Sequence, residues 1–108
     1  MNRGSKITHV DLSNKDISDL SNLQLPSSVE VIYLYDNAIT SLDSLGHLPK
    51  LSMLYLQHNR ISSLEPLRDF INLRKLFLSH NHISVVSGLS RCIALEEALI
   101  IETLNDLT

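Results

Sequence analysis

The sequence predicts an α/β repeat solenoid of about five units, with short parallel strands on the concave side and 3₁₀ or short helical segments on the convex side. Three observations predict it. Ile17, Ile39, Ile61 and Ile83 recur every 22 residues, and Leu12, Leu34, Leu56 and Leu78 keep the same phase, as do Leu23, Leu45, Leu67 and Leu89. Within a unit, stretches such as Ile32-Tyr33-Leu34 and Leu54-Tyr55-Leu56 alternate between inward and outward positions, the period of a half-buried strand. Behind the strand, apolar residues come every third position, as in Ile61, Leu64, Leu67, Phe70 and Leu73, which matches the eclipsed faces of a 3₁₀ turn.

Taken in order, residues 1–6 form a polar leader and residues 7–108 form the array, with units starting at Ile7, Val29, Leu51, Leu73 and Leu95. Seven apolar slots recur per unit, and over the first four units only Pro26 fills one with a residue atypical of cores. Asn37, Asn59 and Asn81 follow the strands, where an amide can satisfy backbone groups that a buried turn would leave unpaired. In the first unit that slot holds Lys15, with Asn14 one place early, which predicts a looser turn. Pro66, after Glu65, suits the first turn of a convex segment, where its missing N–H costs little. Asp43 and Glu65 read as solvated charges at the starts of such segments. The fifth unit keeps Leu95, Ala98 and Ile100 in phase, but Thr103 replaces the Asn and Asn105 the Ile. It reads either as a degenerate last repeat or as a truncated array. No polar cap is recognisable, so Ala98, Ile100 and Leu104 are expected at an open edge beside Leu107.

Composition narrows the function. The 108 residues suffice for one domain, and nine basic against twelve acidic residues give a net charge of -3. That balance disfavours nucleic acid and polybasic membrane binding as partners. No apolar run approaches the roughly 20 residues that span a bilayer. The polar start Met1-Asn2-Arg3-Gly4-Ser5-Lys6 leads into no signal-peptide core. The single cysteine, Cys92, falls in a core-type convex slot and cannot form an internal disulfide. The expectation is a cytoplasmic chain without cofactor.

The repeat sorts surface residues into columns. The outward slot between the buried strand positions holds Asp11, Tyr33, Tyr55, Phe77 and Leu99. The column after the strand holds Ser13, Tyr35, Gln57, Ser79 and Ile101, and the next holds Asn14, Asp36, His58, His80 and Glu102. The column before holds His9, Val31, Met53, Lys75 and Glu97. Of the five aromatic residues, four fall on this inner surface and Phe70 alone goes to the core. Rings on a solvated strand face form an apolar patch suited to a partner. They also stabilise the sheet by cross-strand contact, at roughly 0.2–1 kcal/mol per pair. The two roles are compatible, because the concave sheet of such a solenoid carries no covering layer. Asp11, Tyr33, Tyr35, Tyr55, His58, Phe77 and His80 are therefore the expected partner-binding residues.

Other chemistry finds little support. His58, His80, nearby His82 and Asp36 could in principle share a zinc ion, but structural sites need four convergent ligands, and a polar rim is the simpler reading. No metal is expected. There is no phosphate-binding glycine loop, GxSxG or HExxH, and every Ser, His and acid has a place as a repeat surface or turn residue, so no enzyme activity is expected.

The pattern LxxLxLxxNxI at residues 29–39, 51–61 and 73–83 identifies a leucine-rich repeat array, and its 22-residue unit with Ile after Asn resembles the SDS-type subfamily. Lys6-Ile7-Thr8-His9, Leu34-Tyr35-Asp36-Asn37, Leu54-Tyr55-Leu56-Gln57 and residues 73–89 look like the testis-type leucine-rich-repeat regulatory subunits of protein phosphatase 1. The resemblance covers residues 6–98, and Tyr33-Leu34-Tyr35-Asp36-Asn37 is its most specific stretch. It implies a regulatory subunit that binds the phosphatase catalytic subunit on its concave face, with Tyr33, Tyr55 and Phe77 as the matching residues. No basic-Val-x-Phe docking segment is present, so the contact would come from the concave surface. The alternative within the subfamily is a ciliary, centrosomal or microtubule-associated scaffold, with tubulin or other cytoskeletal proteins as partners and no phosphatase. Either implies a place at the cytoskeleton, centrosome or cilium. The sequence after Ala98 departs from the pattern and the family's chains run on, which implies a fragment or splice form.

Overall fold

The computed structural model describes residues 6–84, Ser87 and the backbone of Glu97–Ala98. Five strands, β1 (His9–Asp11), β2 (Val31–Tyr33), β3 (Met53–Tyr55), β4 (Lys75–Phe77) and β5 (Glu97–Ala98), form one sheet in chain order. All neighbours are parallel, and the pairing Val10↔Ile32, Ile32↔Leu54, Leu54↔Leu76 and Leu76↔Ala98 steps by 22 residues each time. The ladder runs on past each strand: the Leu34 N–H donates to the Tyr55 carbonyl at 2.8 Å and the Leu56 N–H to that of Phe77 at 2.9 Å.

The core is a single column of the predicted slots. Ile32, Leu54 and Leu76 from the strands are fully buried, as are Leu34, Leu56, Leu78, Ile39, Ile61 and Ile83. On the convex side two 3₁₀ turns, Asp43–Leu45 and Glu65–Asp69, place Leu45 and Leu67 inward. Their tightness explains the spacing of three: the N–H of Leu67 donates to the Leu64 carbonyl and that of Phe70 to Leu67, both at 3.0 Å. Pro66 lies in the first turn of the second segment, as its sequence context predicts. Gly46 leaves the first segment at φ +84, a conformation that side chains with a Cβ rarely adopt.

The asparagines hold the units together. Asn81 Oδ1 accepts the Ile61 N–H at 3.0 Å, while its Nδ2 donates to the carbonyls of Leu56 at 2.8 Å and Leu78 at 3.0 Å. Asn59 repeats this one unit earlier with Ile39, Leu34 and Leu56. Both asparagines are buried, and each gives one backbone N–H its partner, while the carbonyls between units are shared: Leu34 accepts from Asn37 and Asn59, Leu56 from Asn59 and Asn81.

The first unit departs from expectation in two ways. Ile7, assigned a core slot, is 57% exposed, and Val10, Leu12, Ile17 and Leu23 are only partly buried. In each later unit the same slots lie against the strand of the unit before; for β1 no such strand exists among the described residues. The looser turn is also not left loose. Asn37 Oδ1 accepts the N–H of Ile17 at 2.9 Å, the bond that Asn59 and Asn81 make to the units before them, and also that of Lys15 at 3.0 Å. Val31 corrects the column before the strand centre: it is buried, because its short branched side chain sits between the rows of His9 and Met53. Cys92, Leu99, Ile100, Ile101, Glu102, Leu104 and Leu107 lie outside the described residues, and so do the side chains of Glu97 and Ala98.

Candidate protein-binding face

The strand register builds the site. Asp11, Tyr33, Tyr55 and Phe77 are paired across four strands, which sets their Cα atoms in one row on the concave side. Neighbouring parallel strands run about 4.8 Å apart, close to the contact distance of stacked rings. The rings use it. Tyr33 and Tyr55 stack with centroids 4.7 Å apart at 24°, and Tyr55 and Phe77 at 4.5 Å and 12°. Each is half-buried, with its remaining surface on the open side of the sheet.

A second stack stands two columns away. The rings of His58 and His80 are 4.3 Å apart and 9° from parallel, and both residues are exposed. Their column was readable as surface, but its backbone conformation was not anticipated. Asn14, Asp36, His58 and His80 all have positive φ, between 55° and 61°. Asn, Asp and His are the non-glycine residues most tolerant of that region, and the residue types in the column are the signal that would have found it. The backbone stays tied to the next unit, the Asp36 N–H donating to the Gln57 carbonyl at 3.0 Å and that of His58 to Ser79 at 2.9 Å.

Between the two stacks runs a groove of about 530 Å³. Tyr33 and Tyr55 form one side, Asp36, His58 and His80 the other, and Tyr35, Gln57 and Ser79 fill the column between. Of the seven residues expected to bind a partner, the groove brings together Tyr33, Tyr35, Tyr55, His58 and His80; Phe77 extends the ring stack, and Asp11 precedes it. Gln57 and Ser79 were placed in the column but not singled out, because neither residue type marks a site by itself. Asp11 is engaged locally: the Ser13 hydroxyl donates to its carboxylate at 2.7 Å and the Ser13 N–H at 3.0 Å. Those donors hold the Asp11 carboxyl below its ordinary range. Asp36 carries no such side-chain bond among the described residues. No cluster of three metal-ligating side chains forms among the described residues, so the zinc reading of Asp36, His58, His80 and His82 gains no geometry.

The leucine-rich repeat family, in its two-copy form, matches residues 27–69, and its single-repeat form matches residues 72–92, together more than half of the chain. Among solved structures, the chain is similar to internalin C2 of Listeria monocytogenes at 28% identity and a TM-score of 0.69, over 85% of this chain and 50% of that one. It is also similar to the internalin inlF of the same bacterium, at 28% identity and a TM-score of 0.63, over 67% of this chain and 21% of that one. The chain thus spans half the length of the first and about a fifth of the second.

Proposed function

The chain is a leucine-rich-repeat protein, and on that premise we propose that it is a regulatory subunit of protein phosphatase 1 that holds the catalytic subunit on its concave face. Leucine-rich repeats serve as protein–protein interaction modules and typically carry no catalysis. The observation that carries the binding reading is the ring column Tyr33–Tyr55–Phe77, continuous over three strands on a face with no covering layer among the described residues. Aromatic side chains offer large contact area at little conformational entropy, which is why they anchor interfaces. The choice of the phosphatase rests on the resemblance of residues 6–98 to its regulators, and a cytoplasmic site at the cytoskeleton or centrosome follows from the same source.

The test is a titration of the purified catalytic subunit of protein phosphatase 1 with the full chain and with the Tyr33→Ser/Tyr55→Ser/Phe77→Ser variant. The expected result is saturable binding that the variant weakens at least about tenfold, the loss of one interface anchor or more. No binding to the phosphatase, with co-sedimentation on polymerised tubulin instead, would replace this reading with the microtubule scaffold. The net charge of -3 disfavours the acidic tubulin surface.

A further inference from the structure

Both stacks on the concave face stop at an aspartate. The aromatic stack runs from Phe77 through Tyr55 to Tyr33, and the next register position is Asp11. The imidazole stack runs from His80 to His58, and the next position in its column is Asp36. In each column a carboxylate stands where the next ring would be. The two carboxylates differ in what they already hold. Asp11 accepts two hydrogen bonds from Ser13, whereas Asp36 is exposed and has no side-chain partner among the described residues.

Asp36 lines the groove, and no lysine or arginine does. In its central column, Gln57 Oε1 is buried with no hydrogen-bond partner among the described residues, an acceptor left open. Tyr35 and Tyr55 add ring surface on the other sides. A flat slot with a free carboxylate, an unsatisfied acceptor and aromatic walls is complementary to a planar cation. We propose that this groove seats the guanidinium of an arginine presented on an extended segment of a protein partner, continuing the imidazole stack beyond His58 with Asp36 as its counter-charge. Arginine fits better than lysine, because a guanidinium stacks on rings and offers several donors in one plane, whereas an ammonium is a strongly hydrated point charge. An acidic or phosphorylated segment would meet Asp36 and Asp11 as like charges. The inference deepens the reading of the concave face as a protein-binding surface and does not depend on the phosphatase.

The test uses isotope-labelled full chain and two Gly-Ser peptides, one with a central arginine and one with citrulline, its neutral isostere, at millimolar concentration and low salt. The arginine peptide should give saturable amide shifts at Tyr35, Asp36, Gln57 and His58, with the citrulline peptide binding about fivefold more weakly, the worth of one exposed charge pair. Asp36→Asn keeps the shape and suits the left-handed backbone, so the variant folds, and it should bring the arginine peptide down to the citrulline level. Equal binding of both peptides, shifts scattered outside the groove, or an unchanged Asp36→Asn would overturn the proposal. The catalytic subunit of protein phosphatase 1 separates the two readings. If it binds the chain while the arginine peptide does not, the groove assignment fails alone. If the peptide binds and the phosphatase does not, the groove stands and the partner is another protein.

Discussion

Asn59 Oδ1 accepts the backbone N–H of Ile39 at 3.0 Å, across 20 residues of chain, so that a side chain of the third unit completes the turn of the second. The same amide donates through Nδ2 to the carbonyls of Leu34 at 3.0 Å and Leu56 at 3.1 Å, one in each unit. Unit and interface are therefore stabilised by one residue, and in a solenoid both terms add to the total.

Asn59→Ala would leave the Ile39 N–H without a partner, at about 1–3 kcal/mol, while the Leu34 and Leu56 carbonyls would keep one amide donor each, Asn37 Nδ2 at 2.9 Å and Asn81 Nδ2 at 2.8 Å. A loss of about 1–3 kcal/mol is expected in urea unfolding, less than the ~2–5 kcal/mol expected for Ile61→Ala in the fully buried slot beside it. An Asn59→Ala chain as stable as the parent would mean that the ladder is idle.

The repeat made most of this legible. A period of 22 residues fixes which side chains share a row, and so the sequence alone places Tyr33, Tyr55 and Phe77 in one column. What the period cannot convey is whether a neighbouring strand covers a given unit, and Ile7, in a core-type slot, is exposed where no preceding strand lies among the described residues. It is equally silent on backbone sign: four consecutive residues of one column adopt left-handed φ, which only the shared chemistry of Asn14, Asp36, His58 and His80 betrays. The groove was half legible, since its walls are aromatic and stand out, while Gln57 matters only through an unpaired atom that composition does not reveal.

The left-handed column makes a prediction of its own. His58 sits at φ +58, where a β-branched residue suffers its Cβ against the following carbonyl. His58→Val should lower stability beyond the cost that any Cβ meets there, because its second γ-carbon adds crowding that His lacks. His58→Asn, which tolerates the conformation, should lose only the ring stack on His80. Thermal melts of the two variants should therefore separate clearly, with Asn the more stable. The reverse order would mean that ring packing, rather than backbone conformation, decides the residue at this position.

Acid should act on Asp11 later than on an ordinary carboxylate. The Ser13 hydroxyl and N–H lower its pKa in the folded chain, so the folded state favours the ionised form more than the unfolded state does. The stabilisation is fully present above the unfolded value and is lost as pH falls through the lower folded value. Asp19, held down by Ser21, follows the same sign. An NMR titration should find the Asp11 carboxyl shifted below the usual range, and Ser13→Ala, which removes the hydroxyl but keeps the N–H, should return part of the shift. A titration that Ser13→Ala leaves unchanged would remove the Ser13 hydroxyl as a cause.

The aromatic column can be tested for structure and binding separately, because its middle ring has two neighbours and each outer ring one among the described residues. Tyr55 stacks on Tyr33 at 4.7 Å and on Phe77 at 4.5 Å. With each stacked pair worth about 0.5–1.5 kcal/mol, Tyr55→Ser should lose about 1–3 kcal/mol from stacking, and Tyr33→Ser or Phe77→Ser about half as much. Tyr33 and Phe77 are separated by Tyr55, so their losses should add, whereas either should couple with Tyr55→Ser. Denaturant midpoints of the singles and doubles check that order. Affinity for a partner should rank differently, following how much of each ring the partner covers rather than how many rings it touches in the free chain. If stability and affinity fall in the same rank across all variants, the column's contribution to binding is only that it keeps the sheet in shape.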